Sequence, residues 1–354
     1  NIGEIDMQYA VSLDWFQLTA KYKKSSLENK YDQPRDRYAL ELKNQHLNVK
    51  LGDSYPSIDQ YALDGHHVRG VNFNFVQGPF SVDIIKGNTA RAVQGNPEDE
   101  AMVISKIEPT ANDTIITLSR DNYTFQQELF AAKIGMRIGE KFYWDINYIK
   151  VEDNIDTVVD TMLNAVILIL SELQSSEDEI SYNNLRNDPN ILGSNTSIIF
   201  PTKNWIGAKP RDNLIYGSNM KFDFDNSRIQ VNSGFSISFL NRNTWENLQS
   251  VSELDTFAFD YSLDGYFLDY LQLDNTKSPS QFETQFNFGM NQQPMVPSIF
   301  RKDGTGILNI LNMSNLSRYY KLQLRYLGHR VELGNKRNGP DYYSILNPFL
   351  KTNM

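Results

Sequence analysis

The chain contains no cysteine, so a disulfide framework, an iron–sulfur cluster and a thiol nucleophile are excluded. No apolar run approaches the roughly 20 residues of a membrane-spanning helix. A helical membrane protein is therefore excluded, whereas a β-barrel is not, because its alternating strands average out as polar. The net charge of −9 argues against binding to nucleic acid.

Motifs for catalysis and for metal binding are also missing. The glycines do not form a phosphate-binding loop, and no serine lies in a nucleophile-elbow frame. Of the four histidines, His66 and His67 are adjacent, and adjacent side chains of a strand point to opposite faces. We therefore expect no enzyme activity, no cofactor and no metal.

What the chain does contain is alternation of apolar and polar residues. In residues 38–53, YALELKNQHLNVKLGD, apolar residues alternate on both sides of a short turn. Such a stretch predicts a β-hairpin with one apolar and one polar face. The same rhythm recurs along the chain, notably in residues 5–22, 71–84, 142–148, 220–239 and 320–333.

The connections between these predicted hairpins are much longer than the turns inside them. The long connections are residues 24–35, 53–68, 88–121, 152–213, 240–280 and 289–317. Short turns at one end and long loops at the other are typical of outer-membrane barrels. We therefore predict an all-β fold, an antiparallel up-and-down transmembrane β-barrel or a large fragment of one. It would form a single domain over residues 1–354, of roughly 12–16 strands.

Charged residues in the polar phase of the predicted strands are candidates for the lining of a pore. They are Glu41, Lys43, Lys50, Asp83, Asp145, Lys221, Asp223 and Arg325. The apolar phase, rich in Phe, Tyr and Trp, would face lipid, as aromatic girdles require. A soluble sandwich, with the polar phase in solvent, is the competing interpretation of the same pattern.

The connection GDSYPSIDQYALDGHHVRG has the strongest turn chemistry. Its glycines permit positive φ, and Asp53 and Asp64 can hydrogen-bond to nearby backbone amides. Arg69 could pair with either aspartate. These three residues are candidates for a constriction loop that folds into a pore, and a well-ordered turn at the rim is the alternative.

Residues 152–213 are predicted to form a long loop insertion. Within it, an apolar block from Leu163 to Leu170 is continuous rather than alternating. A short helix over residues 156–175 is the favoured prediction, and a buried strand competes with it because Val and Ile dominate the centre.

Several phrases resemble uncharacterised outer-membrane β-barrel proteins of Bacteroidota, Chlorobi and related bacteria. They are LGDSYPSIDQYALDGHHVRGVNFNF (51–75), KGNTARAVQG (86–95), FYWDINYIKVEDN (142–154), PRDNLIYGSNMKFDF (210–224) and DYYSILNPFL (341–350). The resemblance implies a porin-like Gram-negative cell-surface protein in the bacterial outer membrane. It also implies a lost signal peptide and truncation at the C-terminus. It supplies no catalytic residues.

Three functional hypotheses follow. The first is an outer-membrane pore, transport or surface-export component without a chemical step, whose partner is the lipid bilayer. The second is a soluble extracellular carbohydrate- or protein-binding module that uses Trp205, Tyr216 and Trp245 as stacking platforms. The third is a structural subunit of a secretion or surface-attachment assembly, with partner proteins bound to the long loops.

Overall fold

The computed structural model describes residues 3–95, 102–109, 114–158, 165–169, 197–201, 207–245, 287, 292–293, 314–347 and 350. In chain order, the strands of the first half are β1 (Glu4–Leu13), β2 (Phe16–Ser25), β3 (Arg37–Lys43), β4 (Leu47–Ser54), β5 (Ser57–Asp59), β6 (Leu63–Asp64), β7 (Val68–Gln77), β8 (Phe80–Ala90), β9 (Met102–Pro109) and β10 (Thr114–Arg120). Those that follow are β11 (Gln126–Ile138), β12 (Phe142–Asn154), β13 (Ala165–Ile169), β14 (Ser197–Pro201), β15 (Asp212–Phe224), β16 (Ile229–Asn241), β17 (Gln292–Gln293), β18 (Leu316–Tyr326) and β19 (His329–Asn338).

The long strands form one antiparallel sheet in the order β1-β2-β3-β4-β7-β8-β11-β12-β15-β16-β18-β19, with β17 paired to β16. Along this path the strands of the main sheet follow one another in chain order, so the predicted antiparallel up-and-down fold is confirmed. Within the described residues, β1 pairs with β2 and β19 pairs with β18, and no pairing joins β1 to β19.

The hairpin turns explain why consecutive strands pair. Gly78 and Gly139 have positive φ, as do Asp225, Asn226 and Ser227 in the turn between β15 and β16. Gly, Asn and Asp adopt this conformation at low cost, and it suits the tight turns that follow the twist of a β-ribbon. The turns are therefore short where the sequence predicted them.

One face of the main sheet is apolar and exposed. Residues opposite each other in an antiparallel pair share a face, and the register joins Leu42 to Val49 and Ile134 to Ile146. Exposed members of this face include Ile5, Tyr9, Leu40, Leu51, Val71, Phe75, Ile84, Ile134, Ile146, Met220, Phe235, Val331 and Leu333. We call this face the apolar band.

The hydrophobic core lies on the opposite face, near the end of the sheet with the long connections. There Ile85, Ile149 and Ile215 of the strands pack in one buried cluster with Ile58 and Leu63 of the connection between β4 and β7. The sheet is therefore apolar on the outside over most of its length, and apolar on the inside only at one end.

Two of the long connections contain strands, and of these the sequence indicated only the one within Leu163–Leu170, as the alternative to a helix. Strands β9 and β10, and then β13 and β14, form a separate four-stranded sheet in the order β14-β13-β10-β9. The helix predicted over residues 156–175 is wrong at its centre, because Ala165–Ile169 is a strand paired with both β10 and β14. The β-branched residues of this segment favour an extended backbone. A 3-10 turn covers Ile155–Thr157, and the rest of the predicted helix lies outside the described residues.

Within the described part of the chain, no helix combines the length and apolar character needed to cross a membrane.

Candidate functional site

The site is the inner face of the main sheet, which two segments cover. Residues 54–67, the plug loop, contain the small β5–β6 pair. Ile58 and Leu63 of this loop are buried against Ile85, Leu129 and Ile149 of the sheet. The connection 53–68 therefore folds inward, over the wall formed by β8, β11 and β12.

Residues 340–347, the covering segment, lie against the plug loop and the sheet together. Ser344 Oγ donates a hydrogen bond of 2.9 Å to the carbonyl oxygen of Ala62, and Ile345 N donates one of 3.0 Å to Asn213 Oδ1 of β15. The rings of Tyr61 and Tyr342 meet edge to face, with centroids 6.5 Å apart. The covering segment thus holds the plug loop in place from a distant part of the sequence.

Asp53 joins the two ends of the plug loop. Its carboxylate accepts hydrogen bonds from Arg69 Nε at 2.9 Å and from Tyr38 N at 2.6 Å, and His67 Nε2 lies 2.6 Å from Asp53 Oδ1. Gly52 makes this approach possible, because at its φ of +93° a Cβ would lie 2.2 Å from the carbonyl oxygen of Tyr38.

Of the three constriction-loop candidates, Asp53 and Arg69 are therefore brought together and Asp64 is not. Asp64 is exposed and accepts a hydrogen bond of 2.7 Å from Ser57 Oγ. The prediction of a constriction loop required the connection 53–68 to fold inward, and in the structure it does. Whether these residues restrict a passage stays a prediction.

All eight candidate pore-lining residues lie on the inner, polar face of the strands, opposite the apolar band. Three of them are in cross-strand ion pairs: Lys50 Nζ lies 3.5 Å from Glu41 Oε1, and Lys133 Nζ lies 3.3 Å from Asp83 Oδ2. Asp223 accepts hydrogen bonds of 3.0 Å from Ser227 Oγ and Gln230 Nε2 in its own hairpin. Lys43, Lys221 and Arg325 are exposed.

Between the plug loop and the sheet is a cavity of about 110 Å³. Its lining includes Lys50, Asn72, Asn74 and Asp83 of the sheet and Ser57 of the plug loop. The cavity lies between two parts of the inner face. The apolar layer is the buried cluster that the plug loop covers, and the polar layer is the set of charged and amide side chains near the hairpin turns.

A buried polar cluster, centred on Asp59 of the plug loop, was missed by the sequence reasoning. Asp59 Oδ2 lies 3.5 Å from Asn147 Nδ2 and 3.4 Å from Asn219 Nδ2, and Asn219 Nδ2 also donates to Asp145 Oδ1 at 2.9 Å. Burial raises the pKa of Asp59 above its ordinary value. Only Asp145 of this group was predicted, from its strand phase. Nothing in a loop sequence shows that Asp59 turns inward.

The stacking platforms of the soluble-module hypothesis are already packed. Trp245 meets Phe125 edge to face, with centroids 5.4 Å apart, and Tyr216 packs against Tyr148 at the same distance. Trp205 lies outside the described residues. Among the described residues, no group of three His, Cys, Asp or Glu side chains is placed to hold a metal.

No protein-family model matches the chain, and no curated protein matches it in sequence. The solved structures to which it is similar include a loop-deletion mutant of OmpT, an outer membrane protein of Vibrio cholerae, at 10% identity and a TM-score of 0.29 over 95% of this chain and 84% of that one. Another is OccK11 (OpdR) of Pseudomonas aeruginosa, at 8% identity and a TM-score of 0.17 over 96% and 85%. Scores this low carry no inference about what the chain does.

Proposed function

We propose that the chain is an outer-membrane β-barrel protein that passes or exports a solute through a plugged interior, without a chemical step. The observation that carries the proposal is the apolar band. Large side chains such as Tyr9, at 69% exposed, Ile134, at 58%, and Leu333, at 60%, face outward along the sheet. The eight charged pore-lining candidates lie on the opposite face.

A soluble protein would not expose such a surface. Monomeric soluble proteins rarely show contiguous apolar patches beyond a few hundred Å², whereas this band extends from β1 to β19 through paired neighbours. Transfer of a half-exposed aliphatic side chain to hydrocarbon is worth on the order of 1 kcal/mol. Many such side chains together favour a lipid-embedded sheet.

The inner face supports passage of a polar solute once the plug loop has moved. The polar layer near the hairpin turns carries both signs of charge, in the pairs Glu41–Lys50 and Asp83–Lys133. A solute there would meet hydrogen-bonding groups and a mixed electrostatic field. In the arrangement described, Ile58 and Leu63 seal the apolar layer above it.

Membrane fractionation followed by gel mobility with and without heating tests the proposal. We expect the full chain in the outer-membrane fraction, running faster before heating than after it, as folded barrels do. Recovery of the folded chain in the soluble fraction, without detergent, would contradict the proposal.

A second candidate function, as a structural subunit of a surface assembly, is favoured by one observation. The connections 88–121 and 152–213 contribute all strands of the separate sheet β14-β13-β10-β9. Functional surfaces are often built on loops held by a rigid scaffold. Chemical cross-linking in intact cells, followed by extraction in detergent, would distinguish a lone protein from an assembly.

A further inference from the structure

A pocket opens on the outer face of the sheet, at the edge of the apolar band that is nearer the long connections. Its volume is about 310 Å³, and its walls come from three neighbouring strands, β8, β11 and β12. The strand register arranges its outward side chains in two rows, Lys86, Phe130 and Lys150 in the first and Asn88, Glu128 and Glu152 in the second, nearer the long connections. We call it the rim pocket.

The rim pocket begins where the apolar band ends. Two residues nearer the hairpin turns, the same face of the three strands carries Ile84, Ala132 and Tyr148. The ring of Tyr148 packs edge to face against Phe130 of the pocket, with centroids 6.0 Å apart. In transmembrane barrels, aromatic side chains of this kind mark the boundary between hydrocarbon and headgroups. Since the proposed function places the apolar band in hydrocarbon, the rim pocket lies at the depth of the headgroups.

Lys86 supplies a cation to the rim pocket. Its side chain is exposed and forms no ion pair with any residue that the structure describes. Lys150, on the other side of Phe130, is 14% exposed and is held by Asp212 and by Glu152, whose Oε2 lies 3.3 Å from Lys150 Nζ. An ammonium at the membrane surface attracts anionic lipid groups. Of the two lysines, Lys86 is therefore the one available to a phosphate.

The carboxylates in the second row can accept a positively charged group. Glu128 and Glu152 are directly opposite each other in the register, and like charges in this arrangement destabilise a sheet. Glu128 Oε1 accepts hydrogen bonds from two neutral amides, Gln126 Nε2 at 3.2 Å and Asn154 Nδ2 at 2.9 Å. The lysine beside Glu152 is shared with the buried carboxylate of Asp212. A cationic ligand group between the two glutamates would offset their repulsion.

We propose that the rim pocket binds the phosphoethanolamine headgroup of a phospholipid, with its phosphate at Lys86 and its ammonium between Glu128 and Glu152. The inference rests on the proposed function, because the acyl chains would lie on the apolar band. Lys86 and Glu128 are diagonal neighbours across two strands, about 7–8 Å apart. A single headgroup that carries both charges can therefore meet both side chains.

The chemistry of the rim pocket favours this headgroup over two others. The amide of Asn88 and the ammonium of Lys86 can both donate to a phosphate, and a primary ammonium can donate up to three N–H groups to the glutamates. A choline headgroup has no N–H group to donate. A glycerol headgroup brings a phosphate to the glutamates without a cation to balance their charge.

Native mass spectrometry of the purified full chain in detergent tests the proposal. The probes are phosphatidylethanolamine, phosphatidylcholine and phosphatidylglycerol with the same acyl chains. We expect retention of a single phosphatidylethanolamine with about fivefold higher affinity than either of the other lipids. This factor corresponds to about 1 kcal/mol, the order of one charged contact at a membrane surface.

Two variants separate the roles of the two rows. Lys86→Gln should weaken retention of all three lipids by about fivefold, since each lipid carries the phosphate. Glu128→Gln should retain the phosphate contact but lose the preference for phosphatidylethanolamine over phosphatidylglycerol. Lys21→Gln, at an exposed lysine on the inner face of β2, is the matched control and should retain lipid like the unmodified chain. The heat-induced mobility shift checks that each variant folds.

Equal retention of the three lipids, or a preference for phosphatidylglycerol, would overturn the proposal. Unchanged retention by both Lys86→Gln and Glu128→Gln would overturn it as well. If the chain fractionates with the outer membrane but shows no headgroup preference, this inference alone fails and the proposed function stands. If the folded chain is recovered in the soluble fraction, both fail.

Discussion

At the scale of single residues, Asp53 links the two ends of the plug loop. Its side chain is 4% exposed and accepts from groups on both sides of the loop, Tyr38 N before it and Arg69 after it. Arg69 Nη2 also donates to the carbonyl oxygen of Asp36 at 2.6 Å. One carboxylate therefore fixes where the loop leaves the sheet and where it returns.

Asp53→Asn should destabilise the fold by about 1–3 kcal/mol, because it leaves Arg69 half-buried beside an amide that cannot balance its charge. The midpoint temperature of the heat-induced mobility shift measures the change. Asp64→Asn, which removes charge at an exposed position, should leave the midpoint nearly unchanged. Equal midpoints for all three proteins would show that the Asp53 contacts do not hold the loop.

Asp59 should make the stability of the fold depend on pH. Burial raises its folded-state pKa above the ordinary value of 3.8, so the folded protein holds this proton more tightly than the unfolded chain. The resulting stabilisation is fully present below pH 3.8 and is lost as pH rises through the folded pKa. The titratable and charged groups around Asp59 are Asp145, Tyr61, Tyr319, Tyr342 and Lys336.

The free energy of unfolding, measured as a function of pH, checks this sign. We expect it to fall as pH rises from 4 in the unmodified chain, by an amount that Asp59→Asn removes. If the free energy of unfolding of Asp59→Asn falls with pH as steeply as that of the unmodified chain, the pH dependence arises from other groups.

At the scale of elements, the hairpins could be predicted because strand periodicity is local. In β12, the alternation of Trp144, Ile146 and Tyr148 with Asp145 and Asn147 gives both faces directly from the sequence. The strand register aligns polar residues with polar residues and apolar residues with apolar residues across neighbouring strands. As a result, no pore-lining candidate lies on the face of the apolar band.

The plug loop and the second sheet could not be predicted, because they depend on contacts between distant segments. Ile58 and Leu63 stand among turn-forming residues, and only packing against Ile345 and the strands shows that they are core. Likewise the strand Ala165–Ile169 is defined by pairing with β10, some fifty residues earlier. A short apolar run leaves helix and strand unresolved until its neighbours are known.

Ile134→Arg should distinguish lipid contact from solvent contact on the apolar band. In a bilayer, a cation on the lipid face of a barrel costs about 2–4 kcal/mol near the midplane. In water, an arginine at a position that is 58% exposed would cost little. Unfolding in urea from lipid vesicles measures the difference, and Ile134→Leu is the apolar control. A change below about 0.5 kcal/mol for Ile134→Arg would contradict a lipid-facing band.

At the scale of the whole molecule, the inner face has two layers of opposite character. The layer near the long connections contains the apolar cluster of Ile58, Leu63 and Ile345, whereas the layer near the hairpin turns carries the Glu41–Lys50 and Asp83–Lys133 ion pairs. A solute could reach the polar layer from the turn side but would meet the plug loop at the other end. Under the proposed function, passage would therefore require displacement of residues 54–67, together with the covering segment that holds them.

Replacement of residues 57–64 by a short Gly-Ser linker should raise single-channel conductance in planar bilayers. The linker removes the β5–β6 pair and the apolar side chains that fill the inner face, while Asp53 and Arg69 remain to close the loop. The asparagine variant of Asp64 should conduct like the unmodified chain, since this residue is exposed. Unchanged conductance in the linker variant would show that the plug loop does not obstruct the passage.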